Sequence, residues 1–276
     1  MIGINFFFLS GRERALRAPE HLSSIISPDN DIIFIASAEA KKNDLPDKVE
    51  AVIHAIVLKE LKEVLNQCHP KECQTINREA FYGPVVKISA PRNLSLFVFT
   101  LRDYFNDQFG SYFLILYDPQ RNRVSSEPIS IPGQELEGQH DPLFSKPVIS
   151  FEDLDEDGFQ ELVVQERIHR GSAYNAVVEN YFHFDNELSP SLMFKIEKKM
   201  LIPGEGRILV RRSRKISKDN LEVEVYLQAD GQQPRKIGEA LYVLDRNANR
   251  YQLESKRSYL KKYEPVLISG AQGEIN

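Results

Sequence analysis

The segment Phe151-Glu-Asp-Leu-Asp-Glu-Asp-Gly-Phe-Gln-Glu-Leu-Val-Val164 carries the residues best suited to chemistry. Asp153, Asp155, Asp157, Gly158 and Glu161 stand at positions 1, 3, 5, 6 and 9 of a loop that starts at Asp153. Carboxylates on alternate residues can wrap one side of a hard cation. Calcium takes about six to eight oxygens at about 2.3–2.6 Å, from carboxylates, carbonyls and water. Gly158 permits the sharp turn that brings the later ligands back. The backbone carbonyl of Phe159 supplies the position-7 oxygen, and Glu161 closes the set. The expected metal ligands are therefore Asp153, Asp155, Asp157, Phe159 and Glu161, and the expected ion is Ca2+. Magnesium fits less well, because it prefers a tighter octahedral shell that keeps several waters. The competing reading is a solvated acidic turn. Carboxylates crowd Glu152 to Glu166 with no lysine or arginine among them, a density that repels itself unless a cation or a basic neighbour compensates it.

The remaining chemistry is sparse. Arg207, Arg211, Arg212, Arg214, Lys215 and Lys218 form a basic stretch without an acid. It can dock an anionic glycan, a membrane surface or an acidic partner; more often such a strand is a solvated face, or it compensates the acidic loop in the neighbouring blade. His169 and His183 approach each other only if a hairpin joins them, and zinc would need further ligands. Cys68 and Cys73 are too far apart for a CxxC motif. An oxidising compartment would join them in a short local loop, and a reducing one would leave two thiols. The phosphate, dinucleotide, metalloprotease and nucleophile-elbow motifs are absent. Ser258-x-x-Lys261 stands without its companion motifs.

These residues need elements to hold them. Val49, Val52, Ile53, Ile56, Val57, Leu61, Val64, Leu65 and Cys68 recur at three- and four-residue steps. They predict an amphipathic helix over 47–68 that packs on a sheet. Asp44 and Asp47 offer a weak capping box, and His69-Pro70 stops the helix. Beyond residue 84 the period becomes two. Strands are expected at Val85–Ser89, Leu94–Arg102, Tyr112–Tyr117 and Glu127–Ile131. A second group covers Pro147–Phe151, Glu161–Ile168, Ala176–Phe184 and Leu192–Glu197. A third covers Arg207–Ile216, Leu221–Gln228, Glu239–Leu244 and Arg250–Glu254. The third strand of each group ends in an aspartate, Asp118, Asp185 and Asp245. Such an aspartate favours a tight turn by accepting the amide two residues on. The pattern reads as a repeat of about 60 residues.

The acidic loop begins like an EF-hand and does not end like one. Val164 holds position 12, where an EF-hand has a bidentate glutamate, and the flanks read as strands. A DxDxDGxxE loop entering an apolar strand resembles the FG-GAP/VCBS calcium-binding repeats of integrin-α-type β-propellers and secreted bacterial proteins. The resemblance implies a calcium site that stiffens a hairpin within one blade. The FG and GAP tripeptides are not evident. The matching turns Ala90-Pro-Arg-Asn93 and Lys218-Asp-Asn220 lack the carboxylates, so one repeat at most binds metal. Three groups are also fewer than the roughly four to eight blades of closed propellers.

The expected fold is mainly β with an N-terminal helical segment. Residues 1–83 carry the helix, and residues 84–276 form an all-β region of antiparallel four-stranded meander repeats, a partial or degenerate β-propeller. A chain of 276 residues with 42% hydrophobic residues can bury a real core, and 2 cysteines exclude a disulfide-rich miniprotein. A net charge of −5 argues against a general nucleic-acid binder. No apolar run spans a bilayer, so a transmembrane protein is not expected. Ala36-Ser37-Ala38 looks like a signal cleavage site, but Asp29 and Asp31 precede its short apolar run, so no convincing signal peptide is read there. The expected function is a non-enzymatic, calcium-stabilised binding module, periplasmic or secreted, with a protein or glycan partner. A hydrolase with a structural calcium and a purely structural subunit are the alternatives.

Overall fold

A computed structural model describes residues 38–39, 45–67, 85–102, 109–135, 147–170, 174–202, 204–229 and 232–263. Cys68, His69, Cys73 and the possible cleavage site up to Ser37 lie outside the described residues.

Helix α1 (Asp47–Gln67) follows the predicted periodicity. Val49, Ile53 and Val57 are buried, and Val52 and Ile56 flank them. This stripe packs on Phe97, Phe99, Leu101, Phe113 and Ile115.

Those aromatic and aliphatic residues belong to the first sheet. It comprises β1 (Ala38–Glu39), β2 (Val86–Ala90), β3 (Leu94–Arg102), β4 (Phe109–Asp118), β5 (Arg123–Val124) and β6 (Ile129–Glu135). The order is β1-β2-β3-β4-β5, with β6 also pairing β4. The near-continuous apolar runs of β3 and β4 are buried on both faces. Phe97, Phe99, Phe113 and Ile115 meet the helix, while Leu96, Val98, Leu114 and Leu116 meet the second sheet.

The second sheet is an antiparallel meander of eight strands. They are β7 (Val148–Glu152), β8 (Glu161–Arg170), β9 (Tyr174–Phe184), β10 (Pro190–Ile202), β11 (Arg207–Ser217), β12 (Asn220–Ala229), β13 (Arg235–Asp245) and β14 (Arg250–Ser258). The fold is thus mainly antiparallel β, with one α-helix among the described residues, as expected. The second and third groups of strands are continuous, because β10 pairs β11 from Lys199–Val210 to Ile202–Arg207. Leu162 and Val164 of β8 and Phe182 and Phe184 of β9 face the first sheet.

The opposite face is concave. Bulges in the β9–β10, β11–β12, β12–β13 and β13–β14 ladders bend the sheet. β14 thereby touches β10, although β7 and β14 share no ladder. Val163, Tyr181, Phe194, Ile196, Leu209, Val223, Tyr242 and Tyr251 fill the concave side. The Phe194 ring centroid lies 5.3 Å from that of Tyr242 and 5.7 Å from that of Tyr251, both edge-on. Tyr263, in a 3₁₀ turn at Lys261–Tyr263, adds to the same core.

The three aspartates at the strand ends behave as their pattern predicts. Asp118 Oδ1 accepts the Gln120 amide at 2.9 Å, Asp185 Oδ1 that of Glu187 at 2.8 Å, and Asp245 Oδ1 that of Asn247 at 3.0 Å.

Most of the basic residues on β11 meet an acidic partner within the fold. Arg214 Nε donates to Glu222 at 3.1 Å, Arg207 lies 4.0 Å from Glu205, and Lys215 reaches Glu156 at 3.2 Å. The Arg212 guanidinium stacks 4.9 Å from the Tyr226 ring. Arg211 faces the concave core, where its Nη1 donates to the Glu197 carbonyl at 3.1 Å and to its carboxylate at 3.3 Å.

The tyrosine-lined core makes the fold sensitive to alkali. Burial pushes the Tyr242 phenol from its ordinary value of 10 up to about 12, and raises Tyr181 and Tyr251 as well. The folded chain keeps a proton that the unfolded chain releases above pH 10. The stability contribution is therefore complete below pH 10 and is lost as the pH rises through 12. Tyr242 alone accounts for about 3 kcal/mol at the upper end. The urea midpoint should fall steeply across this window, and Tyr242→Phe should make the fall shallower. A midpoint independent of pH there would contradict it.

Candidate metal site

The loop that joins β7 to β8 is held by its own carboxylates. The ladder ends at the Glu152–Glu161 pair, leaving 153–160 to turn the chain. Asp153 accepts the Asp157 amide at 3.1 Å through Oδ1 and the Gly158 amide at 3.0 Å through Oδ2. Asp155 Oδ1 accepts the Asp157 amide at 3.2 Å, and Asp157 Oδ1 accepts the Phe159 amide at 2.7 Å. These are the short-range bonds that aspartates in turns make. The chain reverses through Gly158 at φ 89, where any β-carbon is strained, and through Glu156 at φ 54.

Glu161 links the two ends of the loop. It is 1% exposed, and its Oε2 accepts the Leu154 amide at 2.7 Å. Leu154 points into the concave core beside residues of the later strands. That anchoring carries Asp153 and Asp155, on either side of it, toward Glu161. One carboxylate oxygen from each of Asp153, Asp155 and Glu161 lies within 4.8 Å of the others. Two oxygens on opposite sides of a calcium ion stand about 4.8 Å apart, twice a Ca–O distance of about 2.4 Å. The acidic trio can therefore hold a metal ion.

The expected ligands divide accordingly. Asp153, Asp155 and Glu161 converge. Asp157 lies outside the trio, exposed and bonded to the Phe159 amide. The Phe159 side chain is also exposed, with the Arg92 guanidinium 3.6 Å from its ring centre. Arg92 belongs to the turn between β2 and β3, so this stacking joins the loop to the first sheet.

The electrostatics match a cation-seeking site. Burial, followed by the charges of Asp157 and Glu161, pushes the Asp155 carboxyl above its usual range, although the Asp157 amide pulls it down. The hydrogen bond to Glu161 raises the His183 imidazole against partial burial; Nδ1 lies 3.5 Å from Glu161 Oε1. Outside the trio, Lys215 answers Glu156.

Sequence reasoning missed Leu154 and His183 as partners of this loop, whereas Lys215 comes from the basic stretch that was read as able to compensate it. Leu154 had a signal, as the lone apolar residue between Glu152 and Asp157. The approach of His183 to His169 does not occur. The β8–β9 register sets Leu162 opposite Phe182 and His169 opposite Asn175, which places His183 beside Glu161 and His169 at the other end of the hairpin.

No family model, curated protein or solved structure matches this chain. Among the described residues, no helix is long and apolar enough to cross a membrane.

Proposed function

We propose that this chain is a calcium-stabilised β-sheet binding module, with an acidic loop of the FG-GAP/VCBS type and no catalytic role. The observation that carries this reading is the convergence of Asp153, Asp155 and Glu161 at the base of a loop turned by Gly158. Calcium is the favoured ion because the donors are all hard oxygens on a loop, and its larger shell would draw on the Phe159 carbonyl, Asp157 and water as further ligands. Its role is structural. It neutralises carboxylates whose mutual repulsion opposes the turn. Extracellular modules bind calcium at about 10⁻⁴–10⁻³ M, a level found outside the cytoplasm, and the proposed setting is accordingly periplasmic or secreted. The proposed partner is a protein or glycan that binds a surface this loop keeps rigid.

The test is thermal unfolding with calcium, with magnesium and with chelator. Binding to the folded state alone raises stability by about 2.7 kcal/mol at a hundredfold excess over Kd. The melting temperature should rise with calcium, fall with chelator and respond much less to magnesium. Asp155→Ala should abolish the dependence. Asp118→Ala, which disturbs a different aspartate turn, should lower stability and leave the calcium increment intact. Calorimetry without a binding heat at millimolar calcium would overturn the reading.

A further inference from the structure

The acidic loop does more than turn one hairpin, because of where its apolar residue goes. The second sheet bends until β14 touches β10, and no ladder joins β7 to β14. The seam between the first hairpin and the last strand is instead bridged by Leu154. Its side chain lies in the concave core with Tyr242, Leu244 and Tyr251. Its carbonyl accepts the Tyr251 hydroxyl at 3.4 Å, across 97 positions of chain. Its amide donates to Glu161 Oε2 at 2.7 Å. One residue thus connects a member of the acidic trio to the edge strand β14. A second tie runs from Glu156 of the loop to Lys215 on β11.

We propose that the loop is a latch. Metal occupancy at Asp153, Asp155 and Glu161 fixes the backbone on both sides of Leu154 and thereby holds β14 closed against the first hairpin. The inference rests on the calcium reading above and adds a consequence to it, because a metal confined to stiffening its own hairpin would leave β14 unaffected. The physical basis is reciprocity: if closure of the seam orders the loop, an ion that orders the loop must favour closure by the same factor. β14 is the element most able to respond. It is an edge strand with one ladder partner, and most of its side chains beyond Tyr251 are exposed. Edge elements of this kind open locally at lower free energy than the whole fold.

Amide hydrogen exchange of the full chain, with saturating calcium and with chelator, tests the latch. Calorimetry on the same samples establishes whether calcium binds. The informative amides are those of β14 that exchange faster than the β3 core, since they report local opening. Calcium should slow them about tenfold or more, together with the β7–β8 amides. Leu154→Ala should bind calcium more weakly, since its anchor is gone; at a calcium concentration that calorimetry shows to saturate the variant, β7–β8 should still be protected, but the slowing of β14 should vanish. Tyr251→Phe removes only a hydroxyl and keeps the ring in the core; there the slowing should shrink several-fold. Three results would overturn the latch while leaving calcium binding in place: protection confined to β7–β8, full β14 protection in both variants, or β14 exchanging only with the whole fold. Absence of a calcium heat would overturn the latch together with the calcium reading.

Discussion

Ile53→Asp is expected to lower stability by about 4 kcal/mol or more, read as a shift in denaturant midpoint. Ile53 is 2% exposed, between α1 and the aromatic face of the first sheet. Removing its branched side chain leaves a cavity, which costs about 2–5 kcal/mol for a buried isoleucine. The aspartate adds a carboxylate that must either stay charged among Phe97, Phe99 and Phe113 or take up a proton. Leu58, on the same helix and 54% exposed, supplies the control: Leu58→Asp should change stability by no more than about 0.5 kcal/mol. Equal effects of the two substitutions would mean that the helix does not dock through its Val49–Ile53–Val57 stripe.

That stripe was readable in the sequence because helical periodicity encodes which side is buried. The strands were equally legible. Each of the twelve expected strands overlaps a strand of the fold, since β-branched and aromatic runs broken by Asp, Asn, Gly and Pro have few alternatives. Asp118, Asp185 and Asp245 were recognisable as turn residues because the interaction that defines them spans two positions.

What escaped sequence reasoning depends on contacts between distant residues. Nothing local in Lys199 to Ile202 or Arg207 to Val210 says that the two strands pair and fuse two groups into one sheet. The basic stretch on β11 could be read as a docking surface until its partners were known. Alternation does indicate that Arg211 and Lys215 share a face with Leu209, and the acidic loop without a base suggested a partner such as Lys215, but nothing local says that Glu197 meets Arg211. The acidic loop shows both limits together. Its spacing marked Asp153, Asp155 and Glu161 as a set. The side chain that brings them together, Leu154, acts through a core assembled from strands as far away as β14.

Glu161→Ala should show that this carboxylate has two separable tasks. In chelator the substitution leaves the Leu154 amide, buried and bonded to Glu161 at 2.7 Å, without its acceptor. Such a loss costs about 1–3 kcal/mol, partly offset by relief of the repulsion with Asp155. In calcium at a hundredfold excess over Kd the variant also forgoes the binding increment of about 2.7 kcal/mol. The total deficit should then approach about 5 kcal/mol. Asp155→Asn should behave differently, because burial and the charges of Asp157 and Glu161 already oppose ionisation of Asp155. Without metal that variant should match or exceed the wild type in stability; with calcium it should fall below it. The two variants, each measured in chelator and in calcium, separate a turn-forming carboxylate from a metal-binding one. If Glu161→Ala costs the same in both conditions, Glu161 serves the turn alone and the acidic trio does not act as a metal site.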